Sequence, residues 1–439
     1  MLDHAITMVG IMMSRILAIT FAISCLSAFR AEAQVQLPTV KLPEVPIVTG
    51  PLDRTLGTVG DTLQQTDLRD LRRLQIGSLL RQHRDVLERD PRGEPIVRSE
   101  LLSFDPSPES LQRAQADGFT IAREERSEEL GTRLVVLLAP RGLSTPRALR
   151  RLQQLDPTGT YDYNHVYTGG GATETKQPLN TPPALATAVA SPERVRIGLI
   201  DSGIQQMHPV FATASIRAFG CNGKILPGAH GTAVASIMAM QLGTRPAELY
   251  SADVYCNEPT GGSVTAITSA FAWLARERVA VINVSLVGPA NRMLERIIQA
   301  LLQRGHVIVA AVGNDGPNAK PQYPAAYDGV IGVTGVDRKE RVIIEALRGP
   351  QVDFAAAGAD ITAATIDNAY AAVRGTSFAA PIVAALVASR DRAVLPSAPA
   401  DIVKQLATQA RDLGKPGFDT TYGFGLLAAS VSIQAQRRE

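Results

Sequence analysis

Two hydrophobic patterns divide the chain. From about residue 195 onward, short runs that are apolar at nearly every position alternate with longer stretches of mixed character. The runs 196–200, 248–255, 279–285, 307–312 and 330–336 predict strands buried on both faces, as in a parallel sheet. Between and after them, 230–241, 264–278, 293–304, 377–390 and 399–408 predict helices. The implied fold class is α/β, a parallel sheet sandwiched by helices. Ahead of this region the pattern changes. Ile96–Phe104 reads as a strand, Ser107 to about Asp117 as a helix and Phe119–Arg126 as a strand. Leu134–Leu138 is a strongly apolar strand, Ser144 opens a helix carrying Leu149, Leu152 and Leu155, and Thr160–Tyr167 is a last strand. The order β-α-β-β-α-β is the ferredoxin-like α+β pattern.

The first ninety residues read differently again. Arg15, the apolar run Ile16–Phe29 and Ala31-Glu32-Ala33 before Gln34 form a signal-peptide pattern over 1–33. A membrane association follows only if that signal stays uncleaved. Residues 34–51 are Pro-rich and predict a linker. Leu52, Leu56, Val59 and Leu63 recur at three- and four-residue steps, which predicts a helical segment over 52–92. The domain reading continues with a ferredoxin-like unit at 93–167, a Thr/Pro/Ala-rich linker at 168–192 and the α/β unit at 193–439.

Composition narrows the function classes. A net charge of +2 over 439 residues gives no footprint for nucleic acid or an anionic membrane. Zinc spacings, a Walker loop and a dinucleotide fingerprint are absent from the sequence. Once Cys25 in the signal is removed, Cys221 and Cys256 remain, readable as a disulfide or as two buried thiols.

The chemistry is carried by four short motifs. Ser377 lies in Gly375-Thr376-Ser377-Phe378-Ala379-Ala380-Pro381, a hydroxyl at the start of an apolar helix. A serine needs a base and an oxyanion site to act as a nucleophile. Asp201 ends the apolar run Val195–Asp201, His230 begins a helix after Gly228-Ala229, and Asn314 ends the run Val307–Gly313. Read singly, each is an ordinary cap, turn or structural histidine. Their joint occurrence with these flanks is not explained that way.

In the order Asp, His, Asn, Ser, these motifs resemble those of the subtilase family of serine peptidases. The resemblance runs from about Val195 to Ile433. It implies a triad of Asp201, His230 and Ser377, with Asn314 as oxyanion donor. It further implies a substrate cleft lined by Ser285, Leu286 and Val287 and by Ala311, Val312 and Gly313. Val287 and Val312 stand where smaller residues are common in the family, which implies a restricted cleft. By the same resemblance, Cys221 and Cys256 fall near the ends of adjacent sheet segments, which favours the bridge. The ferredoxin-like unit resembles a subtilase prodomain, an inhibitor and chaperone of its own protease, with self-cleavage expected at Tyr167-Thr168. The implied protein is a secreted or periplasmic serine endopeptidase acting on polypeptides and made as a zymogen. No cofactor is required; calcium stays open as a ligand, with no calcium loop identifiable in the sequence. A catalytically silent subtilase-fold binding or regulatory protein is the alternative.

Overall fold

The structure, a computed structural model, describes residues 72–169, 172–173, 194–390 and 399–427. The signal peptide, the Pro-rich linker, the stripe Leu52–Leu63 and most of the linker expected at 168–192 lie outside the described residues.

A helix at 72–82 (α1) leads into a five-stranded antiparallel sheet. Its strands are β1 (Leu87–Arg89), β2 (Pro95–Phe104), β3 (Thr120–Ser127), β4 (Thr132–Leu138) and β5 (Thr160–His165), with helices α2 (Pro108–Ala116) and α3 (Thr145–Leu155) in the crossovers. β5 pairs with β2, β2 with β4 and β4 with β3, as a ferredoxin-like unit requires. The helix expected through residue 92 ends ten residues early, and Leu87–Arg89 joins the sheet. A tight turn, in which Asp90 Oδ1 accepts from the Arg92 and Glu94 N–H groups, both at 2.8 Å, folds β1 back on β2.

An antiparallel sheet usually alternates apolar and polar residues, because one face meets water. Here neither β2 nor β4 does so. Leu101, Val135 and Leu137 pack beneath the unit's own helices with Leu111, Ala148 and Leu152. Their neighbours Leu102, Leu134 and Val136 point the other way, into a cluster with Phe271, Met293 and Ile297 of the second unit. The sheet is apolar on both faces because it has a partner on both faces.

That partner is a seven-stranded parallel sheet of β8 (Val195–Asp201), β9 (Ala214–Phe219), β10 (Ala247–Asp253), β11 (Val281–Val284), β13 (Val307–Ala311), β14 (Ile331–Val336) and β15 (Phe354–Ala357). The strand order is β15-β14-β13-β11-β8-β10-β9. Helices α4 (Ala229–Leu242), α7 (Thr376–Ala388) and α8 (Pro399–Ala407) cover one face, and α5 (Val264–Arg276) and α6 (Arg292–Gln303) the other. The strand and helix runs read from the sequence are all present, with ends that differ by a few residues. β16 (Ile361–Ala364) and β17 (Tyr370–Arg374) form a hairpin just ahead of α7.

Between the units, helix N-termini meet acceptors. The Arg292 N–H at the start of α6 donates to Asp162 at 2.8 Å, and the Thr265 N–H at the start of α5 donates to Asn164 Oδ1 at 3.2 Å. Both acceptors stand on β5, where they satisfy donors that a helix leaves unpaired. Asn164 is fully buried and also donates to Glu100 at 2.7 Å. Asn164→Ala is therefore expected to destabilise the full-length chain by about 1–3 kcal/mol, the cost of stranding buried polar groups. Chemical denaturation measures this, and an unchanged midpoint would remove β5 from the interface energetics.

Candidate active site

Three neighbouring strands end together. Val284 on β11 is in register with Ile200 on β8 and with Ala310 on β13. Asp201, Ser285 and the Val312-Gly313-Asn314 turn therefore emerge at one edge of the sheet. The ends of parallel strands are where open α/β sheets bind ligands.

His230 lies in the first turn of α4. Its Nδ1 is 2.9 Å from both carboxylate oxygens of Asp201, a buried acid. Its Nε2 is buried and has no hydrogen-bond partner. The ring rests on Phe378, next in sequence to Ser377, with centroids 5.4 Å apart. The helix comes this close to β8 because residue 231 is glycine: a Cβ there would fall 2.1 Å from the Ser202 carbonyl oxygen. The Gly231 N–H donates to Ser202 Oγ at 2.9 Å, fixing the turn.

Ser377 is fully buried at the start of α7. Pro381, four residues on, has no N–H to return to the Ser377 carbonyl. That carbonyl instead accepts from the Ser285 hydroxyl at 2.9 Å, while Ser377 Oγ donates to the Ser285 carbonyl at 3.3 Å. The helix that carries Ser377 is thus tied to the segment that carries Ser285. Asn314 is tied to the same helix: its Oδ1 accepts from the Thr376 N–H at 3.0 Å, and Thr376 Oγ1 accepts from the Gly313 N–H at 3.2 Å. Asp201 is thus bonded to His230, Asn314 to Thr376 and Ser377 to Ser285, while the His230 ring contacts Phe378.

The remaining site residues separate. Leu286–Val287 forms a short strand, β12, antiparallel to β6 (Thr168–Gly169) of the chain itself. Ala311 and Val312 are fully buried, their side chains in core clusters on opposite faces of the sheet. Val312 is thus a core residue, in the cluster that also holds Tyr167 and Leu286. Cys221 and Cys256 are bonded, with an S–S distance of 2.15 Å, and join the ends of β9 and β10. His208 and His306 use ring nitrogens on main-chain groups, which suits structural histidines.

The segment expected as a linker from Thr168 is partly strand. The Tyr167 N–H donates to the Gly262 carbonyl at 2.8 Å, Thr168 opposes Val287, and Gly169 opposes Leu286. Gly169 lies on the His230 ring, with a Cβ there 3.5 Å from Nδ1. Two residues further, β7 (Ala172–Thr173) pairs with β17, which leads into Gly375-Thr376-Ser377. Gly262, Tyr255 and Gly288, which surround Tyr167, carry no local motif and escaped the sequence reading.

Similarity to known proteins gives the class, a serine-type endopeptidase domain. The Subtilase family model matches residues 193–425, and the chain belongs to that family. Minor extracellular protease Epr of Bacillus subtilis (strain 168) is 30% identical over 252 residues, which span 54% of this chain and 38% of that protein. Subtilisin DY of Bacillus licheniformis is 31% identical over 257 residues, 55% of this chain and 91% of that one. Among solved structures, fervidolysin from Fervidobacterium pennivorans, described as a keratinolytic enzyme related to subtilisin, shares the fold. Its TM-score is 0.63 at 19% identity, over 78% of this chain and 62% of that one.

The electrostatics of the base give a test. Burial, the largest influence on His230, pushes its pKa down, but the charge and hydrogen bond of Asp201 together outweigh it. The net shift is upward from the ordinary 6.5, so the imidazole stays protonated to higher pH than a free histidine. Only the neutral ring accepts a proton. The rising limb of kcat/KM should therefore have its midpoint above 6.5. Asp201→Asn should lower that midpoint and reduce kcat about 10⁴-fold. A pH–rate profile checks both.

Proposed function

We propose that the protein is an exported serine endopeptidase made as a precursor that cuts itself. The observation that carries this reading is that the chain's own residues 168–169 pair with β12 before the catalytic groups and residues 172–173 pair with β17 after them. A polypeptide held as an added strand on both sides of the nucleophile is in the posture of a substrate. The name of Epr, an extracellular protease, and the Cys221–Cys256 bridge support export. Among the described residues no helix is long and apolar enough to cross a membrane.

In this reading His230 Nε2 takes the proton from Ser377 Oγ as Oγ attacks the carbonyl carbon. The Asn314 amide and the Ser377 N–H receive the oxyanion. His230 then returns the proton to the leaving amine, and water enters by the same route to release the acyl group. Asp201 holds the ring and stabilises its charged form. Own-prodomain inhibition follows from occupancy, because strands β5 and β6 deliver the segment that fills the cleft.

The bond cut lies between Gly169 and Ala172, beyond the Tyr167-Thr168 bond expected from the sequence. Gly169, not Tyr167, is the residue against His230, and the pairing of Thr168 and Gly169 with Val287 and Leu286 advances toward Ser285 and Ser377.

Ser377→Ala should leave a precursor uncut between Gly169 and Ala172, and wild type should yield a mature chain beginning at residue 170, 171 or 172. Intact mass and N-terminal sequencing read this; a mature start at Thr168 or earlier sinks the assignment of the bond. Asn314→Ala should lower kcat about 10²–10³-fold with little change in KM. Labelling of the wild type by a serine-directed phosphonate separates an active enzyme from a silent one.

A further inference from the structure

The turn that carries Asn314 is bonded from two directions. Gly313 and Gly316 lie in the left-handed region, with φ of 107° and 94°. Glycine adopts that backbone without steric cost but is also free to leave it, so the turn's shape depends on its outside partners. Thr376 supplies one set, through the Gly313 N–H and the Asn314 side chain. A separate segment, 345–347, supplies the other. The Glu345 carbonyl accepts from the Gly316 N–H at 2.8 Å, and the Leu347 N–H donates to the Gly313 carbonyl at 3.1 Å. Both ends of the turn thus rest on three consecutive residues that belong to none of the four motifs.

That segment also reaches the strand before the nucleophile. Glu345 Oε1 accepts from Arg374 Nε at 2.5 Å, and Glu345 Oε2 from Arg374 Nη2 at 2.9 Å. Two parallel charge-assisted bonds fix angle as well as distance. The pair is partly shielded from water, with side-chain exposures of 14% for Glu345 and 32% for Arg374. Arg374 ends β17, and only Gly375 and Thr376 separate it from Ser377. The bonds therefore close a ring. From Ser377 the path runs through Thr376 to the Asn314 turn, across to Glu345, over the ion pair to Arg374 and back through Gly375. One tie between amide and hydroxyl leaves a hinge, and a second tie at the opposite end of the turn removes it.

We propose that Glu345 and Arg374 are positioning residues for the oxyanion site. They act through Asn314 and not on the reacting atoms. The pair holds the 313–316 turn at the setting in which the Asn314 amide and the Ser377 N–H meet the same oxygen. Oxyanion donors must stand about 2.7–3.1 Å from the developing charge, and small displacements of a positioned group cost large factors in rate. Ion pairs open to water add little to stability, so the main consequence of this one falls on the rate. The inference rests on the peptidase reading above and adds to it two residues that set the geometry.

The test follows the full-length chain as it cuts itself, a first-order step that involves no capture of a separate substrate. Glu345 is changed first, because Arg374 also pairs with residue 172 of the tail. Glu345→Gln keeps the shape and the main-chain bond but replaces one of the two acceptors with a donor. Its self-cleavage should be about tenfold slower than that of wild type. In an Asn314→Ala background the same change should have almost no further effect, because the group it positions is gone. On the peptide of residues 164–175, the processed Glu345→Gln enzyme should lose kcat about tenfold with KM within about twofold. Arg374→Lys, which keeps the charge but not the fork, should behave likewise. An unchanged rate in Glu345→Gln, or a loss of similar size on top of Asn314→Ala, overturns the proposal and leaves the peptidase reading intact. Failure of both variants to fold, read by circular dichroism, makes the pair a stabilising contact and also overturns it. A wild-type chain that neither cuts itself nor labels with the phosphonate overturns the peptidase reading and this proposal together.

Discussion

The register of three adjacent parallel strands is the constraint on which the site depends. β8, β11 and β13 end within a residue of one another, so Asp201, Ser285 and Asn314 reach the same edge although the first and last are more than a hundred residues apart in sequence. Parallel pairing leaves the strand ends aligned and buried on both faces. The helices that supply His230 and Ser377 then need only start at that edge. A glycine at 231 and a proline at 381 make the fine adjustments, the first by removing a side chain and the second by removing a hydrogen-bond donor. A slip of one residue in β11 would move Ser285 off the Ser377 carbonyl and turn its side chain to the other face.

The two units depend on each other for burial. In the first, β2 and β4 carry leucine and valine on both faces, and one of those faces is completed only by α5 and α6 of the second. The acceptors on β5 complete the exposed starts of those same helices. Apolar area and polar satisfaction thus fall on one surface, which fixes orientation as well as contact. The extended tail after β5 enters the cleft in a set direction because β5 itself is anchored this way.

Much of this was legible in the sequence, for a physical reason. Doubly buried strands announce themselves as unbroken apolar runs, and the groups at their ends stand in short local motifs, as with Asp201 after Ile197–Ile200. What stayed hidden is set by non-local partners. β1 is three residues with a charged end, and only the Asp90 turn folds it back on β2. Thr168–Gly169 is strand because β12 offers an edge, not because of its own composition. Gly262 and Gly288 belong to separate loops, and their joint role around Tyr167 exists only in three dimensions.

The strand that crosses the cleft is anchored very unequally on its two sides. Upstream, it is continuous with a five-stranded unit that shares a hydrophobic cluster with the protease. Downstream, the described pairing is two residues on β17. The segment on the upstream side is therefore held by a whole folded unit, and the segment on the downstream side by a single short pairing.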